Sequence, residues 1–272
     1  MRPLLALLFL ALLGTGCPKK PSAEEARRIQ ELWARSKIDA ARFEALILNR
    51  GAYQGDLDHK YPKIWAGLEI DRQIPEKPDA GALRQRLEDQ AIQMGLTPRL
   101  EVKKVAAPVP TLPARVGPDE PVAWPEAALL REEHLTLVLE PADLGKAEAW
   151  FEQRGHLGRR LFVRSVKLGG GSVRIEATAY SFRDDLPLPV RTQPPFDFAA
   201  LLAEAGLPAS LVEQSPKLQE VKARYEELEA QRPRIDEALA LRTRAEWMDA
   251  RYGAFLKVVE RCDQQRWLEV LK

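Results

Sequence analysis

Few residues of this chain have the types and spacing that catalysis or metal binding requires. The three histidines, His59, His134 and His156, do not lie at ligand spacing from one another or from a cysteine, so no metal site is predicted. Asp184 and Asp185 could form a carboxylate pair for acid–base chemistry, but adjacent acids at a strand exit are more typical of a solvated turn. We therefore expect no catalytic residue, no metal and no cofactor.

Three successive glycines, Gly169–Gly171, are the next feature that could be mistaken for a binding motif. A phosphate-binding P-loop places its glycines between a strand and a helix and ends in a lysine. Here the glycines join two predicted strands, and no lysine follows. Because glycine readily adopts the positive φ angles of tight hairpins, the run predicts a hairpin turn.

The overall charge is nearly balanced, with 41 basic and 40 acidic residues among 272. Nucleic-acid-binding domains usually carry a clear basic excess, so this balance argues against nucleic acid as a partner. Hydrophobic residues make up 45% of the chain, which is enough for one or two cores. The 21 prolines are clustered, and such clusters indicate linkers.

The N-terminus has the pattern of a secretory signal. Arg2 precedes ten apolar residues, Leu4–Leu13, a segment too short to span a bilayer, which takes about 20 residues. The residues Leu13-Gly14-Thr15-Gly16-Cys17 resemble the lipobox of bacterial lipoproteins, in which the cysteine is lipidated and becomes the first mature residue. An ordinary cleaved signal peptide that happens to contain a cysteine is the alternative.

This resemblance implies a signal peptide over residues 1–17 and a palmitate-type lipid anchor on Cys17. The protein would then face the periplasm from a membrane of the cell envelope. Pro18 stands where inner-membrane lipoproteins of enterobacteria carry an aspartate, which favours the outer membrane. With Cys17 acylated, Cys262 has no cysteine to pair with, and we expect it to be a small buried hydrophobe.

Region 18–74 is predicted to be helical. Ser22 and Glu25 have the spacing of a capping box, in which each side chain accepts a hydrogen bond from the other residue's backbone. The helix is expected over Ala23–Leu48, with Gly51 as a stop.

Residues 75–186 are expected to form an α+β domain, because alternating and helical apolar spacings follow one another there. The expected elements are a helix over Asp79–Met94, strands over Pro98–Val105 and His134–Glu140, a helix after Pro141, and strands over Leu161–Leu168 and Ser172–Phe182. This αββαββ order predicts a permuted ferredoxin-like sandwich whose sheet has the strand order third, fourth, second, first. The two predicted edge strands are charged, which discourages pairing with other chains.

A proline-rich insertion, residues 106–131, separates the first two strands and shows no periodicity. We interpret it as an extended surface loop or flap. The alternative is a domain boundary near Pro113, since structureless loops of this length are uncommon inside a domain.

The central domain also resembles a known family. The residues that carry the likeness are Leu135–Leu139 before the helix, Arg159–Val163 after it, and Ala177–Tyr180 in the last strand. Over about Ile74–Arg183 this pattern is similar to the periplasmic domain of PilO-type pilus assembly proteins and to related GspM-like domains of type II secretion. The resemblance implies a ferredoxin-like fold and a role in a pilus- or secretion-like envelope complex.

A second linker, residues 187–196, precedes a C-terminal helical region over 197–272. Heptad spacing at Leu218, Val221, Tyr225 and Leu228, and again from Ala245 to Cys262, predicts a helical hairpin or coiled coil. The large apolar residues that such a pair would leave over are Trp247, Leu256 and Trp267. We expect them to bind an envelope protein or a second copy of the chain, or alternatively to pack back onto the α+β domain.

Two functions of different classes follow from these patterns. The first is a membrane-anchored, periplasmic lipoprotein that acts without catalysis as a scaffold or assembly module of an envelope complex. The second is a periplasmic module that binds a small molecule or glycan beneath the proline-rich flap. A deep apolar pocket under the flap would favour the second function, and an exposed apolar stripe on the C-terminal helices would favour the first.

Overall fold

The computed structural model describes residues 21–77, 80–105, 129–153, 159–189 and 191–263. In chain order the elements are α1 (Ala23–Leu48), α2 (Arg50–Gly55), a π-helical turn (Asp56–Lys60), α3 (Tyr61–Leu68), α4 (Ile70–Gln73), α5 (Ala80–Gln93), β1 (Thr97–Val105), β2 (Leu130–Glu140), α6 (Leu144–Gln153), β3 (Leu161–Gly169), β4 (Ser172–Phe182), α7 (Phe198–Glu204), a 3₁₀ turn (Ala209–Leu211), α8 (Pro216–Ala230) and α9 (Arg232–Asp263). In this part of the chain, no helix is long and apolar enough to cross a membrane.

The chain divides into two compact units. The helical unit comprises Met1–Asn49 and Gln193–Ala238, and the sheet unit comprises Arg50–Thr192 and Leu239–Lys272. This division differs from the segments 18–74, 75–186 and 197–272 expected from the linkers. The reason is long-range packing: the first helix pairs with α8, and the second half of α9 belongs with the sheet.

The sheet unit contains a four-stranded antiparallel sheet with the order β1-β2-β4-β3. Because β2 and β3 both run antiparallel to β4, they are parallel to each other, and α6 lies between them in the chain as the crossover. The predicted strand order and the two predicted edge strands, β1 and β3, are therefore confirmed. The fold class is mixed α+β, as expected.

The first face of the sheet carries the main apolar core. Leu83, Leu87 and Ala91 recur on one side of α5 and are buried there, as the helical spacing predicted. Residues from α6 and from alternating positions of all four strands complete this cluster: Ala147, Trp150, Phe151, Leu100, Leu135, Leu137, Leu139, Leu161, Val163, Val166, Val173, Ile175, Ala177 and Ala179. Two helices thus cover this face.

The second face of the sheet is covered at one end by α9. Phe162, Tyr180 and Phe182 alternate with the core positions and form a second apolar cluster. The other buried members are Ile70, Ile74, Leu129, Leu130, Leu186, Ala254, Phe255 and Val258. Of the two placements considered for the C-terminal helix, the structure supports packing onto the α+β domain.

The second strand is longer than its alternation predicted. It begins at Leu130, which lies opposite Phe182 and is buried in the second apolar cluster. The last residues of the expected insertion 106–131 are thus part of β2, because pairing with β4 continues past the polar residues Glu132 and Glu133. The remainder, 106–128, lies outside the described residues.

The turn between β3 and β4 confirms the hairpin predicted from the glycine run. Gly170 and Gly171 have φ angles of 60° and 78°. Two successive positive φ angles match the twist of the flanking strands, and glycine adopts them without steric cost.

The helical unit is built on a parallel pair of helices, α1 and α8. Contacts at Trp33–Glu220 and at Tyr225–Asp39 advance together along both helices, which shows that the helices run in the same direction. The buried residues of α1 are Ile29, Leu32, Ser36, Phe43 and Leu46, and those of α8 are Leu218, Val221, Tyr225 and Leu228. The capping box of Ser22 and Glu25 starts α1 as predicted.

The heptad residues of α8 were expected to pack against the following helix, and the structure packs them against α1 instead. Gln231 alone separates α8 from α9, and its backbone is in the helical region. Antiparallel helical hairpins need a loop of about two to five residues, so this connection is too short for one. The expected interruption at Arg232-Pro233 is only a junction between consecutive helices.

Candidate functional site

A cluster of titratable side chains lies on the second face of the sheet, beside the end of α9. We call Glu132, His134, Arg164, Tyr180 and Arg261 the second-face cluster. Glu132 and Tyr180 are directly opposite each other on β2 and β4, and alternation puts His134 on the same face. Arg261 is in the last turn of α9. Three strands and one helix therefore supply the site.

The Glu132 carboxylate is the acceptor that joins the two arginines. Arg261 Nη1 donates to Glu132 at 3.2 Å and to the Tyr180 hydroxyl at 3.4 Å. Arg164 Nη2 lies 3.7 Å from the same carboxylate. The side chains of Arg164 and Arg261 are 42% and 61% exposed, so neither arginine is buried by these contacts.

The imidazole of His134 has two competing contacts at Nε2. Arg164 Nη2 lies 3.0 Å from this nitrogen, and a Glu132 oxygen lies 3.4 Å from it. A guanidinium can only donate, so the contact with Arg164 requires a neutral ring whose Nε2 accepts. A ring with a proton on Nε2 would instead donate to Glu132. The imidazole can thus pair with either partner, according to whether Nε2 carries a proton.

Tyr180 stays a hydrogen-bond donor in this setting. Its burial raises the pKa of the phenol above the ordinary value, although the hydrogen bond from Arg261 acts in the opposite direction. The same hydrogen bond raises the pKa of Arg261. Because the Tyr180 oxygen accepts from Arg261, its own proton is available for another acceptor.

A β-bulge in β3 brings Arg164 into the cluster. Val163 pairs with Ala177 and Ser165 pairs with Glu176, so Arg164 is an extra residue in the ladder. Bulges bend a strand and redirect a side chain, and here the redirected side chain reaches His134 on β2. The sequence analysis treated Arg164 only as an edge-strand charge, and no pattern in the sequence marked the bulge.

Thr178 is a buried polar residue next to the cluster. Thr178 is on β4, where it pairs with His134 of β2 on one side and with Phe162 of β3 on the other. The residue is 1% exposed, and its hydroxyl has no hydrogen-bond partner among the described residues. Burying a hydroxyl group without a hydrogen-bond partner is energetically unfavourable. The Thr178 hydroxyl is therefore a candidate for an additional hydrogen bond.

Buried arginines form a separate group of ion pairs in the sheet unit. Arg159–Glu133 spans 2.7 Å, Arg183–Asp185 2.6 Å, Arg191–Glu246 2.9 Å and Arg251–Glu76 2.9 Å. A buried guanidinium needs a carboxylate close by, because an unpaired buried charge is strongly destabilising. The Arg159 pair joins a connecting segment to β2, the Arg191 and Arg251 pairs join connecting segments to α9, and the Arg183 pair lies within the segment after β4. The sequence analysis did not identify these pairs.

Asp185, one of the two adjacent acids considered from sequence, is the acidic partner in one of these ion pairs. Arg183 donates two hydrogen bonds to Asp185, at 2.9 and 2.6 Å. These bonds lower the pKa of the Asp185 carboxyl to about 2. A carboxyl held in its ionised form by a neighbouring guanidinium is a poor general acid.

The helical unit has a groove of about 470 Å³ between α1 and α7. Its charged lining residues are Arg27, Arg28, Glu31, Arg35 and Glu204. Each arginine is already engaged: Arg27 with Glu31, Arg28 with Glu24 and the Gly206 carbonyl, and Arg35 with Glu204. The groove is polar and shows no unpaired group in its described lining.

The residues singled out from sequence are only partly described. Cys17 and Trp267 lie outside the described residues, as does the side chain of Cys262. Trp247 is half-buried against the second apolar cluster and stacks on Arg251, so it has a place within the sheet unit. Leu256 is 40% exposed on α9. In the described residues, no group of His, Cys, Asp and Glu side chains is arranged to hold a metal ion.

Compared with known proteins, the chain matches no family model, no curated protein and no solved structure.

Proposed function

We propose that this chain is a lipid-anchored protein of the bacterial cell envelope that faces the periplasm and acts without catalysis, as a scaffold or assembly module. The observation that carries the proposal is the N-terminal sequence, in which ten apolar residues are followed by the lipobox-like stretch that ends in Cys17. The lipid would hold the chain through its buried CH₂ groups, at about 0.8 kcal/mol each. Pro18 favours the outer membrane as the site of anchoring.

The finer fold that we propose for the sheet unit is the permuted ferredoxin-like sandwich. Its support is the repeated helix–strand–strand order, the strand order β1-β2-β4-β3, and the packing of α5 and α6 on one face. For the helical unit we propose a short two-stranded coiled coil between α1 and α8, supported by heptad-spaced buried residues on both helices. These arrangements suit the pilus- or secretion-like assembly role implied by the PilO-type resemblance.

The proposed partner is an envelope protein or a second copy of the chain, contacted through the end of α9. Leu256 supports this placement, because it is an exposed large apolar side chain on a helix whose other face is buried. Trp267, the other residue expected from sequence to bind a partner, lies outside the described residues. Trp247 now supports it less, because its ring already has a place against the second apolar cluster.

A second candidate function is the binding of a small molecule or glycan. The observation that favours it is the second-face cluster, where exposed donors surround a single carboxylate, Glu132. The flap expected from sequence, residues 106–131, is described only over residues 129–131, where the chain enters β2.

The anchoring proposal is tested with Cys17→Ser and the matched control Cys262→Ser. Cells producing each variant are labelled with radioactive palmitate and fractionated. We expect wild type and Cys262→Ser to take up label and to sediment with membranes, and Cys17→Ser to do neither. Label on Cys17→Ser, or unlabelled wild type that still stays with membranes, would contradict the proposal.

The assembly role is tested by cross-linking in intact cells. We expect Leu256→Asp to remove a cross-linked adduct seen with wild type, whereas Leu188→Asp should retain it. Leu188 is a matched control because it is a leucine of similar exposure, 43%, in the connection after β4. Equal adducts from both variants would remove α9 as the contact surface.

A further inference from the structure

Hydrogen-bond donors exceed acceptors in the second-face cluster. Arg164 and Arg261 share the carboxylate of Glu132, and both side chains are partly exposed to solvent. Tyr180 accepts from Arg261 and can still donate its own proton. Glu132 is the single carboxylate of this group, so one anion serves two cations and a phenol.

The buried hydroxyl of Thr178 points to a missing acceptor. It lies opposite His134 and has no partner among the described residues, although the residue is 1% exposed. Thr178 is on the same face of β4 as Tyr180, so donors come from β3, from two positions of β4 and from α9. Oxyanions are bound in proteins by such converging donors, and arginine is the preferred residue because its fork of N–H groups matches two oxygens.

The placement of the arginines is built into the backbone. The bulge in β3 redirects Arg164 toward β2, and Arg261 is brought to the sheet by the packing of Phe255 and Val258 against the second face. A charged side chain positioned by a bulge is a feature that proteins keep near binding sites. Attraction between exposed surface charges is weak, and ordinary surface ion pairs form without a bulge.

We propose that the second-face cluster binds the phosphate or carboxylate group of a small anionic ligand, and that the Glu132 carboxylate occupies this place in the absence of the ligand. Arg164 and Arg261 pair with the anion, Tyr180 and Thr178 donate to it, and Glu132 turns toward solvent. This inference depends on neither the lipid anchor nor the assembly role, and it specifies the ligand class of the second candidate function.

The test uses the full-length protein in a non-ionic detergent, with ¹³C-labelled histidine rings, titrated with inorganic phosphate. Ionic strength is held constant with chloride. We expect the His134 ring resonances to shift saturably, while those of His59, in the π-helical turn, do not. Acetate titration distinguishes a phosphate site from one that accepts any carboxylate.

Variants separate a built site from general charge screening. Arg164→Gln, Arg261→Gln and the near-isosteric Thr178→Val should each weaken phosphate binding by about five-fold or more. Arg174→Gln is the matched control, because Arg174 is on the same face of β4 but pairs with Glu176. Glu132→Gln should tighten binding about three-fold, since it removes the competing carboxylate.

The opposite results would overturn the inference. A His134 shift that does not saturate would mean that phosphate acts only by general charge screening. Equal weakening of phosphate binding by Arg174→Gln and Arg164→Gln would mean the same. Weaker binding by Glu132→Gln would mean that Glu132 holds the arginines in place and is not a substitute for the ligand. Folding of each variant is checked by its thermal melt, and Thr178→Val retains both arginines if their variants fail to fold.

Discussion

Leu137 of β2 and Ile175 of β4 lie directly opposite each other at the centre of the sheet, on the face covered by α5 and α6. Their side chains are 3% and 2% exposed. Both belong to the alternating apolar positions of the two central strands, which face this core. Directly opposed apolar side chains on one face are the unit from which sheet stability is built.

Replacing either residue by alanine should therefore be costly. We expect Leu137→Ala and Ile175→Ala each to lower the free energy of unfolding by about 2–5 kcal/mol, because each leaves a cavity that the sheet cannot close. Arg164→Ala, on the edge strand β3, should cost less than about 1 kcal/mol. Denaturant unfolding of the three variants makes the comparison, and equal small losses would contradict this view of the core.

Two neighbouring residues of α9 separate packing from surface contact. Phe255 is 4% exposed within the second apolar cluster, whereas Leu256 is 40% exposed. Phe255→Ala should lower the free energy of unfolding by about 3–5 kcal/mol, and Leu256→Ala by less than about 1 kcal/mol. Thermal and denaturant melts measure both, and a larger loss for Leu256→Ala would show that α9 is rotated from the orientation described.

If the C-terminal region 197–272 were a separate helical module, a chain truncated near Pro195 would stay folded and lose only its partner. The structure leads to the opposite prediction, because this truncation removes Ala254, Phe255 and Val258 from the second apolar cluster. We expect the truncated chain to expose Phe162 and Phe182 and to bind the dye ANS. A cooperative melt at the wild-type temperature would show that α9 contributes nothing to the sheet unit.

The hydrogen bond from Tyr225 to Asp39, at 2.8 Å, joins α8 to α1. A double-mutant cycle of Tyr225→Phe and Asp39→Asn should give a coupling energy of about 1–2 kcal/mol, as expected for a hydrogen bond to a charged group. A coupling energy near zero would show that the two side chains act independently.

The same tyrosine predicts a dependence on alkaline pH. Burial, and then the bond to Asp39, raise the pKa of Tyr225 in the folded state. The folded form resists ionisation more than the unfolded form, so the stabilisation is complete below the ordinary tyrosine pKa of about 10 and is lost as pH rises above it. Tyr225→Phe should therefore show a smaller loss of stability between about pH 10 and 11 than wild type.

Asp185 predicts the corresponding dependence on acid. Its folded pKa of about 2 lies below the ordinary value of 3.8, so its ion pair with Arg183 stabilises the fold above about pH 4 and ceases to do so near pH 2. Because the Asp185 side chain is 47% exposed, we expect only about 1 kcal/mol. The difference in unfolding free energy between wild type and Asp185→Asn should shrink over this range, and a constant difference would contradict the assignment.

The parts of the fold predicted from sequence are those set by local patterns. The capping box, the glycine turn and the alternation of β2 and β4 each depend on residues that are close in the chain, and each was found as expected. The strand order followed from the single crossover through α6 and the charges on the edges. Local spacing and the rules of chain connection were sufficient for this much.

The features that were missed depend on residues far apart in the chain. The buried face of α1 includes Ser36, and its Asp39 bonds Tyr225, so polar residues interrupt the apolar pattern that would have marked a heptad. The bulge at Arg164 leaves no pattern at all, and the partners of Arg191 and Arg251 lie in other elements. Ser36 and Asp39 continue the heptad spacing of Ile29, Leu32, Phe43 and Leu46. This spacing was the signal that could have identified α1 as one helix of a pair.

The parallel pairing of α1 with α8 has a consequence for how the protein is made. Trp33 contacts Glu220, which is 187 positions later in the chain. At about 5–20 residues per second, α1 would leave the ribosome about 10–40 s before its partner helix exists. During that interval Ile29, Leu32, Phe43 and Leu46 have no apolar partner on α8. Newly made chains should therefore depend on a chaperone that shields α1 until α8 arrives.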